Sequence, residues 1–148
     1  MKRNLTLLSY LMIAAVLVFS SCKEPSLSEE EQAYKDISGT YSITEATPTG
    51  FDAITLTGVT IVLDGEEKTY SISDLPQIEA ANLNNDGAFK TSGTFTLSGE
   101  NFNLLSLGTS TQFTIVGLAS NTLTLEYDQA YPKTTSGQVA ITINAVRQ

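Results

Sequence analysis

Histidine and tryptophan are absent from this 148-residue chain, and cysteine occurs once, as Cys22. Histidine is the commonest general base and metal ligand in proteins, so its absence removes the usual catalytic triads and most zinc-site patterns. A single thiol can form neither an intramolecular disulfide nor a multi-cysteine metal site. Serines and carboxylates are frequent, but no spacing among them marks a nucleophile or an acid–base pair. We therefore expect a non-enzymatic protein with no cofactor and no metal site.

Positive charge is also scarce, since eight Lys and Arg residues stand against 16 Asp and Glu residues and the net charge is −8. Nucleic acids attract proteins through basic patches, so this chain is not expected to bind them. The same charge balance argues against electrostatic docking on anionic lipids. The composition favours an acidic domain that works outside the cytoplasm.

The amino terminus carries the most specific pattern in the chain. Met1–Arg3 is basic, Leu11–Phe19 is an unbroken apolar run, and the small residues Ser20 and Ser21 precede Cys22. A basic start, an apolar stretch of about 7–15 residues and small residues at a cleavage site are typical of a secretory signal peptide. The run is too short for a transmembrane helix, which needs ~20 predominantly apolar residues.

With cysteine directly after the small residues, the segment resembles a bacterial lipoprotein signal peptide. The resemblance implies that residues 1–21 are removed, that the Cys22 thiol is diacylated (for example with palmitate), and that the new amino terminus is acylated too. Two or more acyl chains anchor a protein stably to a membrane. We therefore expect attachment to the outer membrane through Cys22, with the protein facing the periplasm or exposed at the cell surface.

Residues 22–37 are predicted to be the lipidated cysteine and a flexible acidic tether, followed by one folded domain at residues 38–148. The tether carries Pro25 and the acidic run Glu29–Glu31 without apolar periodicity, which is typical of a segment that does not fold alone. Ser28 followed three residues later by Glu31 matches a capping box, so a short helix over residues 28–34 is an alternative. The domain is long enough for one core.

Apolar and polar residues alternate through almost the whole domain, which is the period of half-buried β-strands. Turn sequences such as Asp64-Gly65-Glu66-Glu67 separate the strands. A phase change at Thr57-Gly58 predicts a β-bulge or bend. Only residues 75–83 could hold a short helix. The expected inward residues are Tyr41, Ile43, Ile54, Leu56, Val59, Ile61, Leu63, Tyr70, Ile72, Phe89, Phe95, Leu97, Phe102, Leu104, Phe113, Ile115, Leu123, Leu125, Tyr127, Val139, Ile141 and Ile143.

These segments predict an all-β protein of about eight antiparallel strands joined mostly by tight turns. Consecutive hairpins form meanders, and closing a meander into a barrel removes both sheet edges. Eight strands enclose an interior that side chains can fill or that can hold one small ligand. We expect an up-and-down barrel, with a two-sheet β-sandwich as the competing fold.

Short motifs in the domain are similar to those of small Bacteroidota lipoproteins with lipocalin-like, or calycin, barrels. Ser38-Gly39-Thr40-Tyr41 resembles the Gly-x-Trp start of their first strand, with Tyr41 where Trp is usual; residues 113–125 and 86–95 resemble later segments. In lipocalins a basic residue of the last strand packs over that aromatic ring. The resemblance therefore implies that Arg147 lies over Tyr41 as a cation–π lid, within ~6 Å of the ring.

Two functions follow as expectations. The first is a binding or scaffold module, with a small apolar ligand as one candidate partner. The second is an interaction or structural component of the envelope, which includes an inhibitor of a secreted enzyme. This second function predicts an exposed aromatic patch near Tyr131-Pro132.

Asn82–Gly87 has part of a calcium-loop spacing, but it has too few carboxylates, so it is interpreted as a polar turn. Aromatic residues that either line a ligand site or simply fill the barrel are Tyr70, Phe89, Phe95, Phe102, Phe113 and Tyr127.

Overall fold

A computed structural model describes residues 26–132 and 137–148 of the chain. Within these residues, strands dominate and two short helices accompany them. The helices are α1 (Glu29–Ile37) and α2 (Leu75–Ala80), with a 3-10 turn at Glu100–Phe102. The strands are β1 (Gly39–Pro48), β2 (Ile54–Thr55), β3 (Thr60–Asp64), β4 (Thr69–Ile72), β5 (Ser92–Thr94), β6 (Thr96–Ser98), β7 (Leu104–Ser106), β8 (Gln112–Ala119), β9 (Thr122–Ala130) and β10 (Gln138–Arg147).

The strands form one antiparallel sheet that curls into a nearly closed barrel. Its order is β5-β4-β3-β1-β10-β9-β8-β7-β6, with the short β2 paired to β1 beside this path. Apart from the β1–β10 pair, neighbours along this path also follow one another closely in sequence, so the topology is up-and-down. The first and last long strands, β1 and β10, pair along most of their length. The prediction of an all-β barrel is confirmed, and the sandwich alternative is wrong.

Closure depends on one bent strand. β5 and β6 are separated only by Phe95, whose N–H donates to the carbonyl of Lys68 at 2.8 Å. The first half of this strand pairs with β4 and the second half with β7. Phe89 and Phe102 were expected in strands, but Phe89 lies in the loop before β5 and Phe102 in the 3-10 turn. The alternation pattern misplaced both because a buried aromatic residue in a folded loop has the same apolar signature as one in a strand.

The predicted bend at Thr57-Gly58 falls between β2 and β3. Both strands pair with β1, and the pairing is interrupted where Gly58 adopts a left-handed φ of 82°. On β1 the register shifts between Ile43 and Glu45. An interruption of this kind lets a strand turn a corner of a barrel while its apolar residues stay on the inner face.

Helix α1 closes one end of the barrel. Its first turn has the capping box expected from the sequence: the Ser28 hydroxyl accepts from the Glu31 N–H, and the Glu31 carboxylate accepts from the Ser28 N–H. Tyr34 and Ile37, three residues apart on one helix face, are buried in the barrel core at 5% and 0% exposure. Residues 29–37 therefore belong to the folded unit. The prediction of a flexible tether does not hold for them, because this face buries enough apolar surface to hold the helix in place.

The opposite end is closed by the segment that contains α2. This segment contributes four buried residues to the same core cluster as the strands, namely Ile78, Leu83, Ala88 and Phe89. The end closed by α1 is called the α1 end, and it comprises residues 28–38, the turns at 65–68, 99–103 and 120–121, and Arg147. The opposite end is called the far end, and it comprises residues 49–53, 73–91, 107–111 and 131–132. Helix α2 lies where the sequence allowed one, at Leu75–Ala80.

Because Ile37 is fully buried, replacing it should cost far more than replacing an exposed neighbour. Ile37→Ala is expected to lower the free energy of unfolding by about 2–5 kcal/mol, the usual range for such core truncations. Leu27→Ala is the matched control: its side chain is 47% exposed, so a change within about 0.5 kcal/mol is expected. Urea denaturation measures both, and equal small effects would show that α1 is a tether after all.

Candidate functional site

The aromatic ring of Tyr41 and the guanidinium of Arg147 lie together at the α1 end. The Arg147 Cζ is 5.1 Å from the centroid of the Tyr41 ring, within cation–π distance. The Arg147 Nη2 donates to the Tyr41 hydroxyl at 2.5 Å and to the carbonyl of Asp36 at 2.7 Å. The Tyr41 hydroxyl in turn donates to the carbonyl of Ile37 at 2.9 Å. The pair therefore serves as a cap for the last turn of α1.

Ser38 pairs two further carbonyls at the same helix end. Its hydroxyl donates to the carbonyl of Tyr34 at 2.7 Å, and its N–H donates to that of Lys35 at 3.3 Å. The hydroxyl also accepts the Gly65 N–H at 2.8 Å, which ties the β3–β4 turn to the helix. A Cβ on Gly65 would stand 2.1 Å from the Tyr34 carbonyl oxygen, so only glycine allows this approach. The last four carbonyls of α1, normally unsatisfied, thus all have partners.

Gly39 makes room for the stacked pair. Its φ is 154°, and a Cβ at this position would lie 3.0 Å from the Arg147 Nε and 3.5 Å from the Tyr41 ring. The Gly-x-Tyr pattern at the start of β1 therefore has a steric cause. The small residue leaves the space in which the arginine covers the ring two positions later.

A second cation–π contact lies on the surface of the same end. The Lys68 Nζ is 4.2 Å from the centroid of the Tyr34 ring and forms an ion pair with Glu30 at 3.1 Å. The Glu30 hydrogen bond raises the pKa of Lys68. Hydrogen bonds from Ser28 lower the pKa of Glu31, so the capping box stabilises α1 at neutral pH and loses this effect as the pH falls through the lowered pKa.

Three of the six aromatic residues proposed as ligand lining pack against one another near the far end. Ring centroids of Phe89 and Phe113 are 5.1 Å apart, those of Phe89 and Tyr127 are 5.6 Å apart, and those of Phe113 and Tyr127 are 4.9 Å apart. All three are almost fully buried. Contacts at these distances are those of a filled aromatic cluster.

The other three proposed lining residues lie apart from this cluster. Phe95 packs on Tyr34 of α1, with centroids 5.5 Å apart. Tyr70 is buried next to Gly93, where a Cβ would come within 3.0 Å of its ring, and burial raises the pKa of its hydroxyl. Phe102 is only partly buried and borders an outer groove beside α1. The six residues therefore do not form one ligand-lined surface.

A polar network holds the far-end segment to β9. Gln129 is fully buried; its Nε2 donates to the carbonyl of Asn82 at 2.6 Å, and its Oε1 accepts the Asn85 N–H at 3.1 Å. The Tyr127 hydroxyl donates to the carbonyl of Leu83 at 2.6 Å. Burial, with a smaller contribution from Asp86, raises the pKa of Tyr127 well above its ordinary range.

The part of this network formed by residues 82–87 is the segment with calcium-loop spacing. Asn84 bonds both the N–H and the carbonyl of Phe89, and the Asp86 carboxylate accepts the Ala130 N–H at 3.2 Å. These side chains are thus used to shape the turn and fasten it to the barrel. Among the described residues, no three His, Cys, Asp or Glu side chains come close enough together to hold a metal ion.

Three grooves border α1. One groove of ≈ 710 Å³ lies between α1 and the β3–β4 turn and includes Leu27, Tyr34 and Lys68. A second, of ≈ 290 Å³, lies between α1 and β8 and includes Ile37 and Leu118. A third, of ≈ 410 Å³, joins Leu118 to Arg147. All three are open to solvent and lie outside the barrel interior.

Sequence reasoning missed the residues that join α1 to the barrel. Asp36 and Ile37 act through their carbonyls, which every residue type possesses, so no side-chain pattern marks them. Ser38 and Gly65 could have been noted as a small pair, but their contact joins positions 27 residues apart. Gln129 offered a weak signal, because it continues the inward phase of Leu125 and Tyr127 on β9.

Cys22 and residues 1–21 lie outside the described residues. Within the described part of the chain, none of the helices has the length and apolar character needed to cross a membrane. No protein-family model and no curated protein matches the sequence.

Since Arg147 donates to two acceptors and covers a ring at once, lysine should not replace it. Arg147→Lys is expected to lower the free energy of unfolding by about 1–3 kcal/mol, the usual scale for a lost charge-assisted hydrogen bond. The control is Lys68→Ala, which removes an exposed cation–π contact and ion pair and should cost less than about 1 kcal/mol. Thermal and urea unfolding compare the two. Equal costs would contradict a capping role for Arg147.

Proposed function

We propose that the protein is a lipid-anchored lipoprotein of the bacterial outer membrane, of the Bacteroidota type, with a non-catalytic lipocalin-like barrel that serves as a scaffold. The observation that carries the proposal is the order of a basic start, the apolar run Leu11–Phe19, two serines and the only cysteine of the chain. A thiol in this position has a specific chemical use in lipid attachment. The folded unit begins at about Ser28, close behind Cys22, as expected for a domain attached at its amino terminus.

The packing of the barrel favours a scaffold over a carrier of small apolar ligands. Small-molecule sites are clefts of about 300–1,000 Å³ that bury most of their ligand. Here the aromatic cluster of Phe89, Phe113 and Tyr127 occupies the interior near the far end, and Tyr34, Phe95 and Ile37 occupy it near the α1 end. Binding is therefore assigned to the outer surface of the barrel.

A second function, an interaction component of the envelope, is favoured by an aromatic pair at the far end. The rings of Phe51 and Tyr131 meet edge to face with centroids 5.0 Å apart, and Phe51 remains 45% exposed. Aromatic residues at the surface are frequent in protein interfaces. This pair lies at the end of the barrel opposite the proposed attachment point.

The anchor is tested by moving the cysteine. Cys22→Ser is expected to shift the protein from the membrane fraction to the soluble fraction, or to leave it unprocessed with residues 1–21 attached. The control is the double variant Cys22→Ser with Ser26→Cys, which keeps one thiol at a position that does not follow the cleavage site. Membrane fractionation and intact mass of the natural chain, expected to show added acyl groups, provide the measurements. Full membrane retention of Cys22→Ser would refute the proposed anchor.

The filled interior is tested with an apolar fluorescent probe and a core truncation. The natural chain should show no saturable binding of anilinonaphthalene sulfonate. Phe113→Ala should cost about 3–5 kcal/mol, since it empties a packed site. Phe51→Ala, which removes an exposed ring, should cost less than about 1.5 kcal/mol. One-to-one probe binding by the natural chain, together with a small cost for Phe113→Ala, would restore the ligand-carrier hypothesis.

A further inference from the structure

Exposed apolar side chains are unevenly distributed over the described surface. Six large apolar residues are between 37% and 52% exposed, and only Phe51 lies at the far end. The other five lie in the half of the barrel nearest α1. Single exposed apolar residues are ordinary, and neighbouring ones mark a contact surface; of these five, Val116 and Leu118 lie close together on β8 and border the same groove. These five are Leu27, Val62, Val116, Leu118 and Val146.

Val116 and Leu118 stand at the rim of the α1 end. The register of β8 shifts between Ile115 and Gly117, which leaves Val116 without an opposite residue on β9 and 52% exposed. Leu118 pairs with the fully buried Leu123, yet it is itself 41% exposed. It borders the groove that also includes Ile37 of α1. The rim therefore presents aliphatic side chains directly beside the helix that closes the barrel.

On the outer face of β9, the charged side chains lie in the half that is farther from α1. Along the outer face of β9 the residues run Asp128 and Glu126 toward the far end, then Thr124 and Thr122 toward the α1 end. Thr122 lies opposite Val146 on β10 and Ala119 on β8. The outer face of β9 thus changes from charged to uncharged side chains in the direction of α1.

The chain itself brings this end to a lipid surface if Cys22 is acylated. Ser28, the capping residue of α1, follows Cys22 by six positions. A chain of that length spans at most about 20 Å when fully extended. Strand β10, with ten residues, is about 33 Å long. The link is therefore shorter than the barrel strands, and the α1 end must stay close to the membrane that holds the acyl groups.

We infer that the rim formed by Val116 and Leu118, together with Leu27 at the start of α1, docks on the lipid bilayer and sets the barrel upright with its far end pointing away. This inference rests on the proposed anchor at Cys22. Lys35 and Asp36 border the groove that also includes Leu118, and both signs of charge suit a zwitterionic headgroup layer. The acidic run Glu29–Glu31 makes an anionic surface unsuitable. The occupant is thus a zwitterionic bilayer.

The absence of tryptophan makes a direct test available. Every described element lies after Cys22, so the chain from Cys22 onward can be coupled through its only thiol to a maleimide-bearing lipid in phosphatidylcholine vesicles. In this arrangement Leu118→Trp should shift its emission to the blue and be quenched by brominated lipids. Phe51→Trp, at the far end, is the matched control and should keep the emission and quenching of an exposed ring. Val116→Trp serves as a second reporter if Leu118→Trp unfolds.

Chemical coupling separates docking from cellular lipidation, because the vesicle result does not depend on acylation by the cell. Absence of a shift and of quenching for both rim reporters would overturn the docked orientation, whatever the fractionation of Cys22→Ser shows. Equal quenching at Phe51→Trp would overturn it as well, since the barrel would then lie on its side. A blue shift that rises with protein concentration without vesicles would assign the rim to a second copy of the chain.

Discussion

The structure depends on the pairing of four backbone carbonyls at the end of α1. Without these partners, the end of a helix that packs against a barrel would bury unsatisfied carbonyl groups, and each would cost about 1–3 kcal/mol. Ser38, Tyr41 and Arg147 supply the donors, and Arg147 also places a positive charge where the helix dipole favours one. Because Arg147 ends β10 and Tyr41 lies opposite it near the start of β1, the same contacts join the first and last long strands. The same residues thus close the barrel and hold the helix against it.

This arrangement connects attachment with architecture. Since α1 packs against one end of the barrel, the start of the helix at Ser28 has a fixed position relative to the strands. A lipid anchor at Cys22 would then hold a body with a defined orientation, rather than a domain on a loose tether. The interior at both ends is filled by side chains of α1 and of residues 78–89, which is why we propose the two outer ends as contact surfaces. Aliphatic rim residues are suited to lipid, and the Phe51–Tyr131 pair is suited to protein.

Much of the fold follows from local sequence, and the site does so only in part. Period-two alternation and turn residues such as Asp64-Gly65 predict the strands and the barrel, because each signal lies within a few residues. The capping box at Ser28 and Glu31 likewise predicts the start of α1. The burial of Tyr34 and Ile37 was missed, because two apolar residues in an acidic segment do not indicate that the segment packs against a barrel. Tyr41 and Arg147 were named through a family resemblance; their hydrogen bonds to α1 carbonyls involve backbone atoms that no sequence pattern marks.

Native-state hydrogen exchange of the α1 amides tests most directly whether this helix is an integral part of the barrel. The N–H groups of residues 33–37 lie in the helical turns whose last carbonyls, those of Asp36 and Ile37, accept from Arg147 and Tyr41. Their opening free energy should therefore approach that of the paired residues of β1 and β10, as expected for one cooperative unit. Exchange of these amides near the rates of an unfolded chain, while the strands stay protected, would show that α1 detaches freely and would contradict the account.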